Sequence, residues 1–288
     1  PNEYSYKRKY METKGNGIRT LILGHSHAGN GINPKFLGDS AFNLAISGRL
    51  HYYDAVLAER YIPQLKNLKC VVWPLGYNFQ FDSYKYPCLY REKEVNEINY
   101  QSTYFCMYEK YVGITYNHTK PYMYWSEIIH SKLGYGKRIF LHDWEEMGCE
   151  PSGFEPNKPE LKSLKWKTVK LPSIVNYESK NTLLALSEGL SNMKRIAKVC
   201  HDNQVRLIVV TMPCYQTYQD QVTERGLKDM YACVDTMRRV YPQIEYYNFL
   251  SDNRFTDDDF SNSSHLSTIG AEKFTKILRK ILLNDKDK

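Results

Sequence analysis

The feature that most constrains this chain is a short apolar run that stops at Gly24 and is followed by a serine between two histidines. Residues 20–23 have unbroken strand-forming character, and a run that ends at a glycine is typical of a buried strand entering a tight turn. Side chains just past such a strand lie in the crevice where open α/β sheets bind ligands. A helix from about His27 would direct free amides at Ser26 and favour negative charge there. This suits a nucleophile that stabilises an oxyanion, although a turn with a capping serine fits equally well.

The same alternation of strands and helices recurs along the chain. Apolar periodicity predicts strands over residues 19–23, 41–45, 70–75, 205–211 and 245–249, and helices over 51–65, 181–200, 227–237 and 274–282. Residues 1–17 are polar and are interpreted as a lead-in. The βαβ spacing implies a parallel sheet with right-handed crossovers. We therefore expect one α/β domain over residues 1–288, flavodoxin-like, with three α/β/α layers and a central, mostly parallel sheet of about five strands.

Residues 79–170 interrupt this rhythm. Many of the 25 tyrosines of the chain crowd into this segment, apolar periodicity fades, and prolines punctuate its end. We expect an insertion that lies over the active site at the strand ends. Aromatic faces with polar tips stack on sugar rings, so the segment is a plausible glycan platform; a tyrosine-rich packing layer is the alternative.

Composition excludes several classes of protein. The net charge is +7, but the basic residues are scattered, which indicates weak attraction to anionic surfaces and no nucleic-acid partner. Seven cysteines without a CxxC pair argue against a disulfide framework and a structural metal. His25 and His27 lack a partner at metal-ligand spacing, and no glycine-rich phosphate fingerprint follows the first strand. We expect no metal and no cofactor.

Four short motifs stand at successive strand ends or just before the last helix: Gly24-His25-Ser26, Ser47-Gly48, Gly76-Tyr77-Asn78 and His265. Their order resembles the SGNH (GDSL-like) hydrolase superfamily, whose signature residues are serine, glycine, asparagine and histidine. The phrases LILGHSHAGNGINP, AFNLAISG and HYYD are similar to SGNH-like proteins found with bacterial surface-polysaccharide genes. The resemblance implies an SGNH-like domain.

The resemblance also implies roles for individual residues. Ser26 is the expected nucleophile and His265 its base, with the oxyanion bound by the amides of Ser26 and Gly48 and by the side chain of Asn78. Substrate contacts are expected from His25, His27 and Tyr77. Taken singly, Gly48 also fits a turn glycine, Asn78 a cap, and His265 a buried structural histidine.

Two positions depart from the superfamily pattern. His25 and His27 flank the serine where the superfamily usually has aspartate and leucine. Asn262 stands three residues before the histidine, where an acid is usual. An asparagine oxygen can orient a histidine but cannot stabilise imidazolium by charge. Either Asn262 orients a Ser–His dyad, or the acid comes from Asp257, Asp258 or Asp259.

We therefore expect a serine esterase or acyltransferase that acts on O-acyl groups, chiefly O-acetyl groups, of a carbohydrate or cell-surface polysaccharide. The alternative, favoured by Asn262, is a catalytically silent SGNH-like module that binds glycan or scaffolds a surface-assembly complex. No run approaches the roughly 20 apolar residues of a membrane span. Because the chain opens with Pro1, a signal or membrane anchor before residue 1 is part of the expectation. The expected location is extracytoplasmic or membrane-associated in a bacterium, with the cytoplasm as the alternative.

Overall fold

A computed structural model describes residues 2–38, 40–77, 108–114, 148–157 and 180–283 of the chain. Within these residues one parallel sheet forms, in the order β2-β1-β3-β4-β5. Its strands are β1 Thr20–Ile22, β2 Ala41–Asn43, β3 Cys70–Pro74, β4 Arg206–Thr211 and β5 Glu245–Asn248. This strand order is that of flavodoxin-like folds. The predicted fold class and number of strands are confirmed.

Helices cover both faces of the sheet. They are α1 Glu3–Lys14, α2 Ser26–Gly31, α3 His51–Tyr61, α4 Lys180–Asp202, α5 Gln216–Gln219, α6 Glu224–Val240 and α7 Thr268–Leu283. Alternate strand residues point to opposite faces, because side chains in a strand have a period of two. Val71 packs in the cluster that contains residues of α3, α4 and α6, whereas Val72 packs with residues of α2 and α7. The predicted three layers are therefore present, with a core on each side of the sheet.

The amino-terminal segment differs from the expected lead-in. Residues 3–14 form α1, and the Asn2 side chain caps this helix by accepting a 2.9 Å hydrogen bond from the Ser5 amide. Its buried face carries Tyr4, Lys7 and Met11, which are spaced as on one helical face. A lysine in the middle of that face hides the apolar stripe from sequence patterning. The helix was missed for this reason.

Most of the expected insertion lies outside the described residues, including Tyr84 and every later tyrosine of the segment except Tyr108 and Tyr111, and Asn78 just before it lies outside them too. Two of its pieces are described. A π-helical turn, Tyr108–Val112, packs on α1, where the ring centroids of Tyr108 and Tyr4 are 5.2 Å apart. The second piece, residues 148–157, runs beside the edge strand β2, since the Asn43 amide donates to the Ser152 carbonyl at 2.9 Å. That the insertion covers the active site stays a prediction.

Two further properties concern only the described ranges. No helix in them is long and apolar enough to cross a membrane. The described residues also contain no group of three or more histidine, cysteine, aspartate or glutamate side chains that could hold a metal ion.

Candidate active site

The turn after β1 presents Ser26 at the carboxyl edge of the sheet. Gly24 has φ +117°, and a Cβ atom there would lie 2.3 Å from Cγ of Pro74, so this position requires glycine. Helix α2 begins at Ser26, one residue before the predicted start. Its N-cap is His25, whose carbonyl accepts hydrogen bonds from the amides of Ala28 at 3.0 Å and Gly29 at 2.9 Å. The Ser26 amide donates to none of the described residues, as expected at the first turn of a helix.

A short hairpin brings His265 to Ser26. Strands β6 Phe260–Asn262 and β7 His265–Leu266 pair antiparallel, so that Asn262 and His265 lie opposite each other. The segment was predicted as a loop up to residue 264. A capping box between Thr256 and Asp259 folds a 3₁₀ turn just before the hairpin. The His265 Nε2 atom lies 2.7 Å from Ser26 Oγ, within the hydrogen-bond range of a nucleophile and its base.

Asn262 determines which ring nitrogen of His265 carries the proton. Its Oδ1 atom accepts hydrogen bonds from the backbone amides of Ser264 and His265, both at 3.0 Å. Backbone amides only donate, so the atom that faces them is the oxygen of the side-chain amide. The same oxygen lies 3.0 Å from His265 Nδ1, which therefore donates to it. Nε2 is left unprotonated and can accept the Ser26 hydroxyl proton.

The three aspartates proposed as alternative acids have other contacts. Asp257 Oδ1 accepts from the Tyr215 hydroxyl at 3.0 Å. Asp259 Oδ2 accepts from the Thr256 amide at 2.7 Å and pairs with Lys273 at 2.7 Å. Within the described chain, neither these two nor the exposed Asp258 forms a hydrogen bond to His265. The geometry therefore favours Asn262, assisted by Ser264 Oγ at 3.0 Å from Nδ1, as the partner of the ring.

Burial keeps the histidines around Ser26 neutral. Desolvation lowers the pKa of His265 to about 4, and no carboxylate raises it. Burial, reinforced by His51, lowers the pKa of His25 to about 3, and burial lowers that of His27 well below its usual value. The His27 ring packs edge-on against His265, with centroids 4.8 Å apart, and against His25, at 4.7 Å. His265 is therefore a free base at neutral pH.

The predicted substrate contacts differ in exposure. His25 is 4% exposed, and its Nδ1 faces the His27 amide at 3.4 Å, so this side chain belongs to the interior of the turn. His27 is half-buried beside His265. Tyr77 is 2% exposed, and its hydroxyl accepts a hydrogen bond from the Thr223 amide at 3.2 Å. Substrate contact stays a prediction for all three residues. Its greater exposure makes His27 the best placed of the three to contact a substrate, whereas Tyr77 is surrounded like a packing residue.

The expected oxyanion glycine lies on the neighbouring loop. The Ile46 amide donates to the Gly24 carbonyl at 3.1 Å, which places the end of β2 beside the turn after β1. Ile46 to Arg49 form a tight turn closed by a 3.1 Å hydrogen bond, with Gly48 at φ +75°. A positive φ at the third position is typical of a type II turn and favours glycine. The Gly48 amide donates to none of the described residues, and Asn78 as a further donor stays a prediction.

Two buried ion pairs behind these loops were missed by sequence reasoning. Asp54 and Arg49 are fully or almost fully buried and pair at 3.2 Å. Burial opposes ionisation of Asp54, but hydrogen bonding from His51 and the Arg49 charge hold its pKa below the usual range. Lys7 and Glu155, also buried, pair at 2.8 Å. Asp54 could have been suspected as the acidic residue of the phrase HYYD, whereas nothing in the sequence marks Lys7 or Glu155.

Several solved structures are similar to this chain. No protein-family model matches the sequence, and no curated protein matches it. Over 97% of its length the chain is similar to a candidate platelet activating factor from Streptococcus pneumonia, at 12% identity, 91% coverage of that chain and a TM-score of 0.48. It is similar over 97% of its length to a GDSL-like lipase from Bacteroides thetaiotaomicron, at 9% identity, complete coverage (100%) and a TM-score of 0.45. Because both TM-scores are below 0.5, these similarities say nothing about activity. The fold is assigned from the strand order, and the site is assigned from its own geometry.

Proposed function

We propose that the protein is an SGNH-type serine hydrolase, either an esterase or an acyltransferase. The observation that supports this most is the chain of contacts from Ser26 Oγ to His265 Nε2 and from His265 Nδ1 to the Asn262 oxygen. A hydroxyl is a weak nucleophile and needs a base within hydrogen-bond distance, oriented by a third group. The order of the sequence motifs supports the same assignment.

The proposed reaction has two steps. Ser26 Oγ attacks the ester carbonyl carbon while its proton passes to His265 Nε2. The oxyanion accepts hydrogen bonds from the amides of Ser26 and Gly48, and the leaving alcohol takes the proton from the imidazolium as the carbon–oxygen bond breaks. Water or a sugar hydroxyl then attacks the acyl-serine carbonyl carbon as His265 takes its proton, and Ser26 Oγ receives that proton as the acyl–Oγ bond breaks. One oxyanion donor of this kind is worth ~3–4 kcal/mol in the transition state.

We further propose O-acetyl groups of a carbohydrate or cell-surface polysaccharide as the substrate, and an extracytoplasmic or membrane-associated location. Sequence phrases similar to polysaccharide-associated SGNH-like proteins support this, as does the tyrosine-rich segment 79–170. The test is release of acetate from O-acetylated polysaccharides, with Ser26→Ala as control. Transfer is tested by supplying p-nitrophenyl acetate with an unacetylated oligosaccharide and measuring the mass of the oligosaccharide product by mass spectrometry. If p-nitrophenyl acetate is cleaved but no acetylated glycan is cleaved and no acetyl group is transferred to the oligosaccharide, the substrate proposal is wrong and the esterase proposal stands.

Asn262 supports a second candidate, a silent glycan-binding module. An amide oxygen orients His265 but carries no charge with which to stabilise imidazolium. Such a module would bind a glycan equally well as wild type and as Ser26→Ala in titration calorimetry. Turnover of any ester that depends on Ser26 would exclude it.

A further inference from the structure

The two amides proposed to bind the oxyanion stand on separate loops. The Ser26 turn comprises residues 24–26, and the Gly48 turn comprises residues 46–49. A single backbone hydrogen bond, from Ile46 to Gly24, joins them directly. Gly48 has no side chain with which to pack, so other groups must determine where its amide points. Two buried carboxylates contact these elements: Asp54 bonds to both turns, and Glu155 bonds to the Gly48 turn through its carboxylate and to helix α2 through its backbone.

Asp54 connects the turns from the side of helix α3. Its Oδ1 atom accepts a 3.0 Å hydrogen bond from the Gly24 amide, in the Ser26 turn. The same atom lies 3.2 Å from Nη1 of Arg49, the last residue of the Gly48 turn. Its other oxygen accepts from the Trp73 indole at 3.0 Å, which anchors the carboxylate to β3. One fully buried side chain thus fixes the start of one turn and the end of the other.

Glu155 connects the Gly48 turn to helix α2. Its Oε2 atom lies 2.7 Å from Oγ of Ser47 and 3.3 Å from its amide, in the Gly48 turn. Its backbone amide donates to the Gly29 carbonyl at 3.0 Å, and its carbonyl accepts from the Asn30 side chain at 2.7 Å. Both contacts are to α2, the helix that begins at Ser26. The Lys7 ammonium neutralises the carboxylate at 2.8 Å and also donates to the Ala45 carbonyl.

The energetic balance of such pairs indicates a role in positioning. A buried ion pair is weak evidence for stability, because desolvation costs can equal or exceed the attraction. Both pairs here flank residue 48 in the sequence, through Ser47 on one side and Arg49 on the other. We propose that Asp54 and Glu155 are positioning residues that hold the Gly48 amide and the Ser26 amide on one oxyanion. This inference rests on the proposed esterase function and identifies what aligns its oxyanion site.

The test uses the full chain with Asp54→Asn and Glu155→Gln, which keep the shape of each side chain and remove its charge. Glu245→Gln is the matched control, because Glu245 pairs with Arg206 at the opposite edge of the sheet. Steady-state kinetics with p-nitrophenyl acetate give kcat and KM. Loss of alignment should lower kcat by ~10–100-fold with KM within about threefold, less than the ~10²–10³ loss of a whole donor. The control should keep both values.

A milder variant covers failure of Asp54→Asn or Glu155→Gln to fold. Ser47→Ala removes the hydroxyl contact of Glu155 and keeps the carboxylate paired with Lys7, and should lower kcat by about fivefold to tenfold, less than loss of a donor. Circular dichroism establishes which variants are folded. Folded variants with wild-type kcat, or with losses confined to KM, would overturn the positioning role.

The failure of this inference can be told from failure of the proposed function. Turnover by wild type that disappears in Ser26→Ala establishes the esterase, whatever the positioning variants do. An inert wild type overturns the esterase, and hydrogen exchange of the Ile46 and Arg49 amides, whose hydrogen bonds hold the Gly48 turn, then tests by NMR the positioning roles of Asp54 and Glu155. Exchange about tenfold faster in Asp54→Asn and Glu155→Gln than in Glu245→Gln supports them, since these amides become less well held. Equal exchange overturns them.

Discussion

Replacing Asn262 by aspartate should raise both the pKa of His265 and the rate of the reaction. The wild-type pKa is lowered to about 4 by burial, with no charge to oppose that effect. A carboxylate in place of Asn262 would lie against Nδ1, at the 3.0 Å now spanned by the amide oxygen. An opposite charge favours the protonated ring, so the shift is upward.

The magnitude follows from this distance. Unit charges about 4 Å apart attract by ~4 kcal/mol at an effective dielectric constant of about 20. Burial of the new carboxylate offsets part of this, and shifts beside an opposite charge are about 1–3 pKa units. We expect a pKa near ~6 in Asn262→Asp. In a serine protease the reverse change costs ~10⁴ through a wrong tautomer. Here two backbone amides already hold the Asn262 oxygen towards the ring, so the tautomer is correct in wild type and only the charge effect remains. We expect the rate of Asn262→Asp to exceed that of wild type by ~10-fold, which corresponds to ~1.4 kcal/mol.

The assay is kcat/KM for p-nitrophenyl acetate between pH 3.5 and 8. Wild type should lose activity only around pH 4, where His265 becomes protonated, and should be flat above pH 5. The acid limb of Asn262→Asp should move up by about two units, with a higher plateau. Asp258→Asn, which removes an exposed carboxylate of the same loop, should match wild type. An unmoved acid limb in Asn262→Asp, or a shift in Asp258→Asn, would refute the assignment of Asn262.

Three other substitutions test the surroundings of the site. Lys7→Met should lower the free energy of unfolding by ~3–5 kcal/mol, because the buried Glu155 carboxylate loses the charge that it pairs with. Lys9→Met, at an exposed position, should change the free energy of unfolding little. Equal effects of the two substitutions would contradict the burial of the Lys7–Glu155 pair. Desolvation of His265 should by itself contribute ~2 kcal/mol to a lower stability at pH 5 than at pH 7, beside the same kind of effect from His25 and His27, because protons bind this side chain from about pH 6.5 in the unfolded chain and only near pH 4 in the folded chain. His265→Gln should reduce the difference in the free energy of unfolding between the two pH values by ~2 kcal/mol in urea unfolding, and an unchanged difference would contradict it. Gly24→Ala should lower the free energy of unfolding by about 1–3 kcal/mol from backbone strain alone and should slow ester turnover. Gly17→Ala, which places its added carbon more than 4 Å from any other group, should have neither effect.

The sheet could be predicted because strands β1 to β4 are largely buried and apolar and are followed within a few residues by glycine or proline, whereas β5 is short and only partly buried. The strand ends then placed Ser26 and Gly48 at one edge, since parallel strands share that edge. The final hairpin could not be predicted by pattern, because the pairing of Asn262 with His265 depends on side-chain hydrogen bonds between them. Motif order alone indicated that His265 would reach Ser26.

Buried charges account for the main failures. Helix α1 was hidden because Lys7 occupies its buried face, and a charged residue there contradicts the apolar pattern that marks a helix. Glu155 lies far from Ser47 along the chain, in a segment that the sequence indicated only as an insertion. Tyr77 was chosen for its place beside Asn78, but it packs in the cluster of Cys214, Tyr218 and Leu250. Contacts of this kind depend on the folded chain and leave no local signal.

The central claim is that His265 activates Ser26 as a nucleophile. The most direct measurement is reaction of the full chain with a fluorophosphonate, followed by digestion and mass spectrometry to find the modified residue. We expect a phosphonyl group on Ser26, labelling slowed by ~10²–10⁴ in His265→Ala, and none at this position in Ser26→Ala. No label on Ser26 under conditions that modify a known serine hydrolase, or labelling that is equally fast without His265, would contradict it.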